Sequence, residues 1–293
     1  MTYDNVTLEI WVGVVTIFAT KSVVSKESEV LNLENHEQLV GGRSGKIQKI
    51  GKSVVRPAQF WTEDIHSFLR FLHAEGAGFV PMPYGINEQK QEQVSYMPGE
   101  VFNYPLPEHL LADSMLVSAA KLLRTFHQYS ERYLSKLTGQ EHWMLQTVTP
   151  VEVMCHGDFA PYNVTIISNQ AAGMIDFDTL HPGPRMWDVA YAVYRWVPFN
   201  APMHPDAQGD LNEHIRKARL FLDTYGVGRE EKQSFVRMLI ERLEALTQFM
   251  LNEAEQGNED FRSHIQEGHL SVYLNDIEYL RKNEQEITNG III

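Results

Sequence analysis

Apolar residues recur at helical spacing in six stretches of this chain, and short apolar runs lie between and before them. Trp61 to Ala74 places Ile65, Phe68, Leu69 and Leu72 on one face, with Thr62 positioned to cap the helix. Leu110 to Tyr129 does the same with Leu116, Ala119, Ala120, Leu123 and Phe126. Met186–Trp196, Leu211–Tyr225, Arg229–Gln256 and Asp260–Asn283 follow as helices, punctuated by Gly226 and Gly257. In the Arg229 helix, Val236, Leu239, Leu243, Leu246 and Met250 form the apolar stripe. Strand-like runs come earlier and in the middle. Leu39 to Arg56 reads as two strands around Gly51-Lys52, Pro81 to Gly85 as a turn-rich bridge, and Gln93 to Met97 as a strand stopped by Pro98-Gly99. Val151–Cys155, Val164–Ile167 and Ala172–Ile175 are further strands, the last two joined by a turn at Asn169-Gln170. The pattern divides the chain into residues 1–30, an extension; residues 31–97, a small sheet-plus-helix lobe; and residues 98–293, a mostly helical lobe. The fold class expected is therefore α+β and two-lobed.

Composition narrows the partners. The net charge of −13 over 293 residues argues against nucleic acid or an anionic membrane surface. About −2 of it lies in residues 1–98 and about −11 in the remainder. An acidic second lobe suits a cationic ligand, although solubility alone explains it as well. The apolar run Leu8 to Ala19 contains Glu9, is too short to span a bilayer and has Asp4 rather than a basic segment before it. One cysteine, Cys155, rules out an intramolecular disulfide and fits a reducing cytoplasm. Its neighbour His156 points to the opposite side of a strand, so Cys155 reads as a buried, inert thiol.

The chemistry is concentrated in His156-Gly157-Asp158-Phe159-Ala160-Pro161-Tyr162-Asn163 and, one hairpin later, Ile175-Asp176-Phe177-Asp178. A His-x-Asp, an Asn five residues on and a second Asp after a hairpin form the pattern of a phosphoryl-transfer centre. In that pattern Asp158 accepts the proton of an attacking hydroxyl, and Asn163 and Asp176 hold the magnesium that bridges nucleotide phosphates. Asp176 follows an apolar strand, where an unpaired carboxylate would be costly.

With Trp187-Asp188-Val189-Ala190-Tyr191, these motifs resemble the aminoglycoside phosphotransferase and choline kinase-like superfamily, a kinase-like group of small-molecule phosphotransferases. The resemblance runs from about Leu39 to Val197 and more loosely to the C-terminus. It implies an antiparallel-sheet N-lobe that binds nucleotide, ATP or GTP with Mg2+, and a helical C-lobe that binds the acceptor. It implies that His156 and Asp188 brace the catalytic loop. The turn Gly41-Gly42-Arg43-Ser44-Gly45 stands where backbone N–H groups of Gly41, Gly42, Ser44 and Gly45 would approach phosphates, and Ser95, Tyr96 and Met97 stand where the strand joining the lobes meets the base. Arg56 occupies the position of the usual phosphate-pairing lysine, a departure its charge and forked donors tolerate. Its acidic partner is not evident. Glu63 in the first turn of the Trp61 helix is the nearest choice, and His66 stands closer to the expected position.

A protein kinase is excluded. No lysine stands two residues after Asp158, and about ten residues between Asp178 and Asp188 are too few for a peptide-binding activation segment. The acceptor expected is a small molecule bearing a hydroxyl, with Asp178, Trp187 and Tyr194 as candidate contacts and aromatic rings suited to an ammonium group. The alternative function is a non-catalytic nucleotide- or ligand-binding immunity protein on the same fold.

Overall fold

The computed structural model describes residues 36–38 and 47–293 of the chain. The expected extension, residues 1–30, and the glycine-rich turn at Gly41–Gly45 lie outside the described residues.

Strands β1 (His36–Gln38), β2 (Gln48–Ile50), β3 (Ser53–Pro57), β4 (Pro83–Ile86) and β5 (Gln91–Ser95) form an antiparallel sheet in the order β1-β2-β3-β5-β4. Helix α1 (Thr62–Ala74) connects β3 to β4. Strand β4 lies in the segment expected to be a turn-rich bridge, and Gly85 at φ 124° accommodates its irregular register against β5. Thr62 does not cap α1: its hydroxyl accepts from the Gln59 N–H at 2.8 Å, outside the helix.

The remainder is mostly helical. Helix α2 (Asp113–Tyr133) precedes β6 (Val153–Cys155), the hairpin β7 (Val164–Ile167)–β8 (Gln170–Met174), β9 (His181–Gly183) and α3 (Arg185–Trp196). The hairpin turns at Ser168-Asn169, one residue earlier than expected; both residues adopt the positive φ of a tight two-residue turn. Helices α4 (Leu211–Tyr225), α5 (Arg229–Gln233), α6 (Phe235–Glu255), α7 (Glu259–Gln266) and α8 (His269–Ile291) complete the lobe. Two expected helices are each broken in two. Arg229–Gln256 is interrupted at Ser234, a turn residue between α5 and α6 whose hydroxyl donates to the Glu231 carbonyl at 2.9 Å. Asp260–Asn283 is interrupted at Gly268, whose φ of 93° ends α7 and redirects the chain.

One apolar core joins the lobes. Phe68 of α1 packs edge-on against Phe126 and Tyr133 of α2, at centroid distances of 5.9 and 5.0 Å. Ile65, Phe68, Leu69 and Leu72 are buried in the same cluster as Leu116, Leu123 and the apolar faces of α3, α4, α6 and α8. Helix α1 is thus anchored to the helical lobe as firmly as to its own sheet.

Candidate active site

Strand β6 delivers the chain into the loop His156–Asn163. Gly157 sits at φ 81°, and a Cβ there would collide with the backbone of Thr179. Thr179 closes the same contact by donating its hydroxyl to the His156 carbonyl at 2.8 Å. Asp188, in the first turn of α3, accepts from the backbone N–H groups of His156 at 2.7 Å and Gly157 at 2.9 Å. His127 of α2 meets the same carboxylate through Nε2 at 3.0 Å and Tyr225 through Nδ1 at 2.5 Å. Burial works against the Asp188 charge, but these donors prevail and hold its pKa at about 2. His156 is neutral, its pKa pushed down to about 4 chiefly by burial. Its Nε2–H therefore donates to the Ile175 carbonyl at 3.0 Å, and Nδ1 accepts from the Asp158 N–H at 3.3 Å.

That frame presents Asp158. Its Oδ1 accepts from the Tyr162 hydroxyl at 2.8 Å and its Oδ2 from Asn163 Nδ2 at 2.9 Å. Asn163 Nδ2 also reaches the Asp158 carbonyl, which fixes the amide so that Oδ1 is the free end; that oxygen is buried without a hydrogen-bond partner. Burial raises the Asp158 pKa to about 6, with Tyr162 and Arg195 opposing the rise. Asp158 and Tyr162 line a cavity of about 670 Å³, together with Trp187, Tyr191, the segment 144–149 and one side of α6.

A second cavity, of about 410 Å³, lies between the sheet and the β7–β8 hairpin, lined by Val54, Tyr96, Met97, Phe102, Ile175 and Asp176 among others. Asp176 directly follows the apolar Ile175 at a positive φ of 58°. Arg56 of β3 crosses the cleft to it. Its Nη1 donates to Asp176 Oδ1 at 3.1 Å, its Nη2 to Asp178 Oδ1 at 2.7 Å, and its Nε to Glu92 Oε1. Glu92 Oε2 in turn meets His66 Nε2 at 3.0 Å, and Trp61 Nε1 donates to Asp178 Oδ1 at 3.2 Å. Burial disfavours the charge on Arg56, yet Asp178, Glu92 and Asp176 together raise its pKa above the usual arginine value. Burial likewise disfavours the charge on Glu92, and Arg56 and His66 outweigh it and lower its pKa.

The model of the phosphotransferase enzyme family matches residues 137–221, the stretch that contains this loop, the hairpin and α3. A curated relative, the trifolitoxin immunity protein of Rhizobium leguminosarum bv. trifolii, is 27% identical over 214 residues, covering 69% of this chain and 78% of that protein. Among solved structures, a choline/ethanolamine kinase family protein from Mesorhizobium loti superposes with a TM-score of 0.56 at 12% identity, over 98% of this chain and 95% of that one. Plasmodium vivax ethanolamine kinase superposes with a TM-score of 0.54 at 14% identity, over 78% and 76%. The chain has the kinase-like fold of the aminoglycoside phosphotransferase and choline kinase superfamily. The two-lobed α+β architecture read from the sequence is the one observed.

Within that superfamily fold the structure brings Asp158, Asn163, Asp176, Arg56, His156 and Asp188 into one centre, with Asp158 on the larger cavity and Arg56 and Asp176 on the smaller. Ser95, Tyr96 and Met97 line the smaller cavity. The N–H groups of Ser95 and Tyr96 are already bonded to the carbonyls of Met82 and Lys52. Glu63 is exposed on α1 and is not the partner of Arg56. The acid is Glu92, directly opposite Arg56 in the β3–β5 register, and His66 is its second partner. Of the three acceptor candidates, Trp187 lines the larger cavity. Asp178 is turned to Arg56 and Trp61, and Tyr194 is buried with its hydroxyl on Asp276 at 2.6 Å, so neither lines that cavity. The sequence reading missed Glu92, Trp61, Tyr162 and Arg242. A lone acid within the strand Gln91–Ser95 was the available signal for the first. Trp61 and Arg242 act through contacts 117 and 85 residues away, which nothing local marks; Tyr162 stands four residues from Asp158 inside the loop, where its hydroxyl was the signal passed over.

Proposed function

We propose that this protein transfers the γ-phosphoryl group of a nucleoside triphosphate to a hydroxyl of a small molecule. One observation carries the reading: the Asp158 carboxylate faces a large cavity on one side of a cleft whose other side carries Arg56 and Asp176. The nucleotide occupies the smaller cavity, with its base at Tyr96-Met97 and its phosphates toward Arg56. The acceptor occupies the larger one.

The donor set fits Mg2+. Asn163 presents a buried carbonyl oxygen with no protein partner, and Asp176 presents a carboxylate beside it in the chain's course across the cleft. Among the described residues, no group of three or more His, Cys, Asp and Glu stands together to hold a metal, so nucleotide phosphates and water would fill the rest of its shell, as magnesium prefers. Bound there, the ion would neutralise charge on the transferring phosphoryl group. The chain's own residues do the rest. Asp158 orients the acceptor hydroxyl and takes its proton as the new O–P bond forms and the bond to the β-phosphate oxygen breaks. Tyr162 and Asn163 keep the Asp158 carboxylate aimed, and a pKa of about 6 leaves it ionised at neutral pH and able to hold the proton. Arg56 offers forked donors to the phosphates.

The likeness to an immunity protein supports a second reading, in which the chain protects its host by binding a toxin without modifying it. Scoring nucleotide diphosphate release with aminoglycosides, choline and homoserine, alongside nucleotide affinity with and without magnesium, separates the two. Release with any acceptor supports transfer. Magnesium-independent affinity and no release with any hydroxyl compound would sink it.

A further inference from the structure

Arg242 of α6 lines the larger cavity and is 4% exposed. Among the described residues that line the cavity, it is the one lysine or arginine. Its guanidinium lies over the ring of Tyr191 at 4.3 Å and near that of Trp187 at 5.6 Å. Nη2 donates to the Gly157 carbonyl at 2.7 Å, and Nε is buried with no hydrogen-bond partner. The two carboxylates that share the cavity are engaged elsewhere: Asp158 with Tyr162 and Asn163, and Glu253 with Asn258 Nδ2 at 2.9 Å. Asp158 is near enough to feel the Arg242 charge but makes no direct ion pair with it. A buried cation with no carboxylate in contact is costly, because aromatic faces and one carbonyl do not repay its desolvation. Three histidines also stand at the cavity wall. Burial lowers the pKa of His181 to about 4 and also lowers that of His269, on whose ring His264 stacks at 5.1 Å.

We propose that Arg242 is an anion seat, and that the molecule bound in this cavity carries a carboxylate or phosphate group in addition to the hydroxyl presented to Asp158. This rests on the acceptor role proposed above for the cavity, and it adds an anionic group to an acceptor expected only to suit a site for cations. The nitrogen atoms of Arg242 not spent on Gly157 supply a fork for such a group, while Tyr191 and Trp187 hold the guanidinium plane in place. Because Nη2 also holds the carbonyl just before Asp158, an anion seated on Arg242 is fixed relative to the base.

The test is a titration of the whole protein, without nucleotide, by 4-hydroxybutyrate, its amide and inorganic phosphate. The Nε–Hε signal of Arg242 is followed by NMR and assigned from its disappearance in Arg242→Gln. A saturable shift with an anion, at least about tenfold weaker or absent with the amide, is the expected result. Carboxylate alone points to an acid acceptor, phosphate alone to a phosphorylated one. Arg242→Lys, which keeps charge but loses the fork, should bind several-fold more weakly by calorimetric titration with the same ligands, while folding normally. No saturable shift with either anion, or an equal shift with the amide, would overturn the proposal. Because no phosphoryl transfer is measured, a protein that seats anions but releases no nucleotide diphosphate defeats the functional reading alone. One that phosphorylates acceptors yet seats no anion defeats this inference alone.

Discussion

In the helical lobe, Asp188 holds the loop at His156 and Gly157 through two backbone N–H groups, and His127 and Tyr225 hold Asp188. Across the cleft, Arg56 reaches from β3 to Asp176 and Asp178 through side-chain contacts alone, with Glu92 behind it. The first arrangement fixes main chain and is enclosed in one lobe. The second joins two lobes and can re-form around a ligand. The difference suits their proposed tasks, since a proton acceptor must be placed in advance, whereas donors to a phosphate must yield to it.

Removing Asp188 should have the largest effect. Asp188→Ala leaves two buried N–H groups and His127 without their acceptor, and should cost about 3–5 kcal/mol in denaturant unfolding, with activity lost alongside. A loss below about 1 kcal/mol would show that the loop is held by other means and would collapse the contrast.

Asp158→Asn should leave the fold intact, because burial already disfavours the native charge. Turnover should fall about 10²–10⁴-fold with nucleotide affinity unchanged. Turnover within a few-fold of the parent would remove Asp158 from the base role.

Arg56→Ala should weaken nucleotide binding roughly ten- to a hundred-fold, and Arg56→Lys less, because the fork is lost but the charge is kept. Lys49, which lies over the Tyr96 ring at 4.1 Å in the same cavity, is the competing cation. If Lys49→Ala abolishes binding and Arg56→Ala does not, the phosphate side of the comparison moves one strand away.

The smallest effect is in acid. The Asp188 pKa of about 2 lies below the ordinary carboxylate value, so its stabilisation is present above about pH 4 and is lost as the pH falls toward 2. Unfolding free energy measured between pH 5 and 2 should decline by roughly 2 kcal/mol on this account, and by less in Asp188→Asn. An unchanged slope in the variant would assign the acid sensitivity elsewhere.

The helical lobe was the more legible half of the chain. Its helices carry clean apolar stripes, and the loop residues act within a few positions of one another, as Asp158 and Asn163 do. What escaped was long-range or conformational. The break at Gly268 rests on a single left-handed residue, and Glu92 lies 36 positions from Arg56. The resemblance pointed to an acid on the helix after β3, and Glu63 in its first turn was the nearest choice. The acid is instead on β5, where strand register places it opposite Arg56, and register depends on pairings that no local pattern displays.

The location of Glu92 also constrains how this protein could be controlled. An ion pair whose acid rides on a mobile helix is a lever, since displacing the helix breaks the pair and silences the site. Here both members sit on hydrogen-bonded neighbouring strands and move as one body, while α1 contributes His66 and is wedged by Phe68 into the core shared with α2. The pair has no hinge between its halves. For the transfer proposed above, this means that the pair needs no helix movement to form, and that nothing but the two cavities' own occupants need reach it.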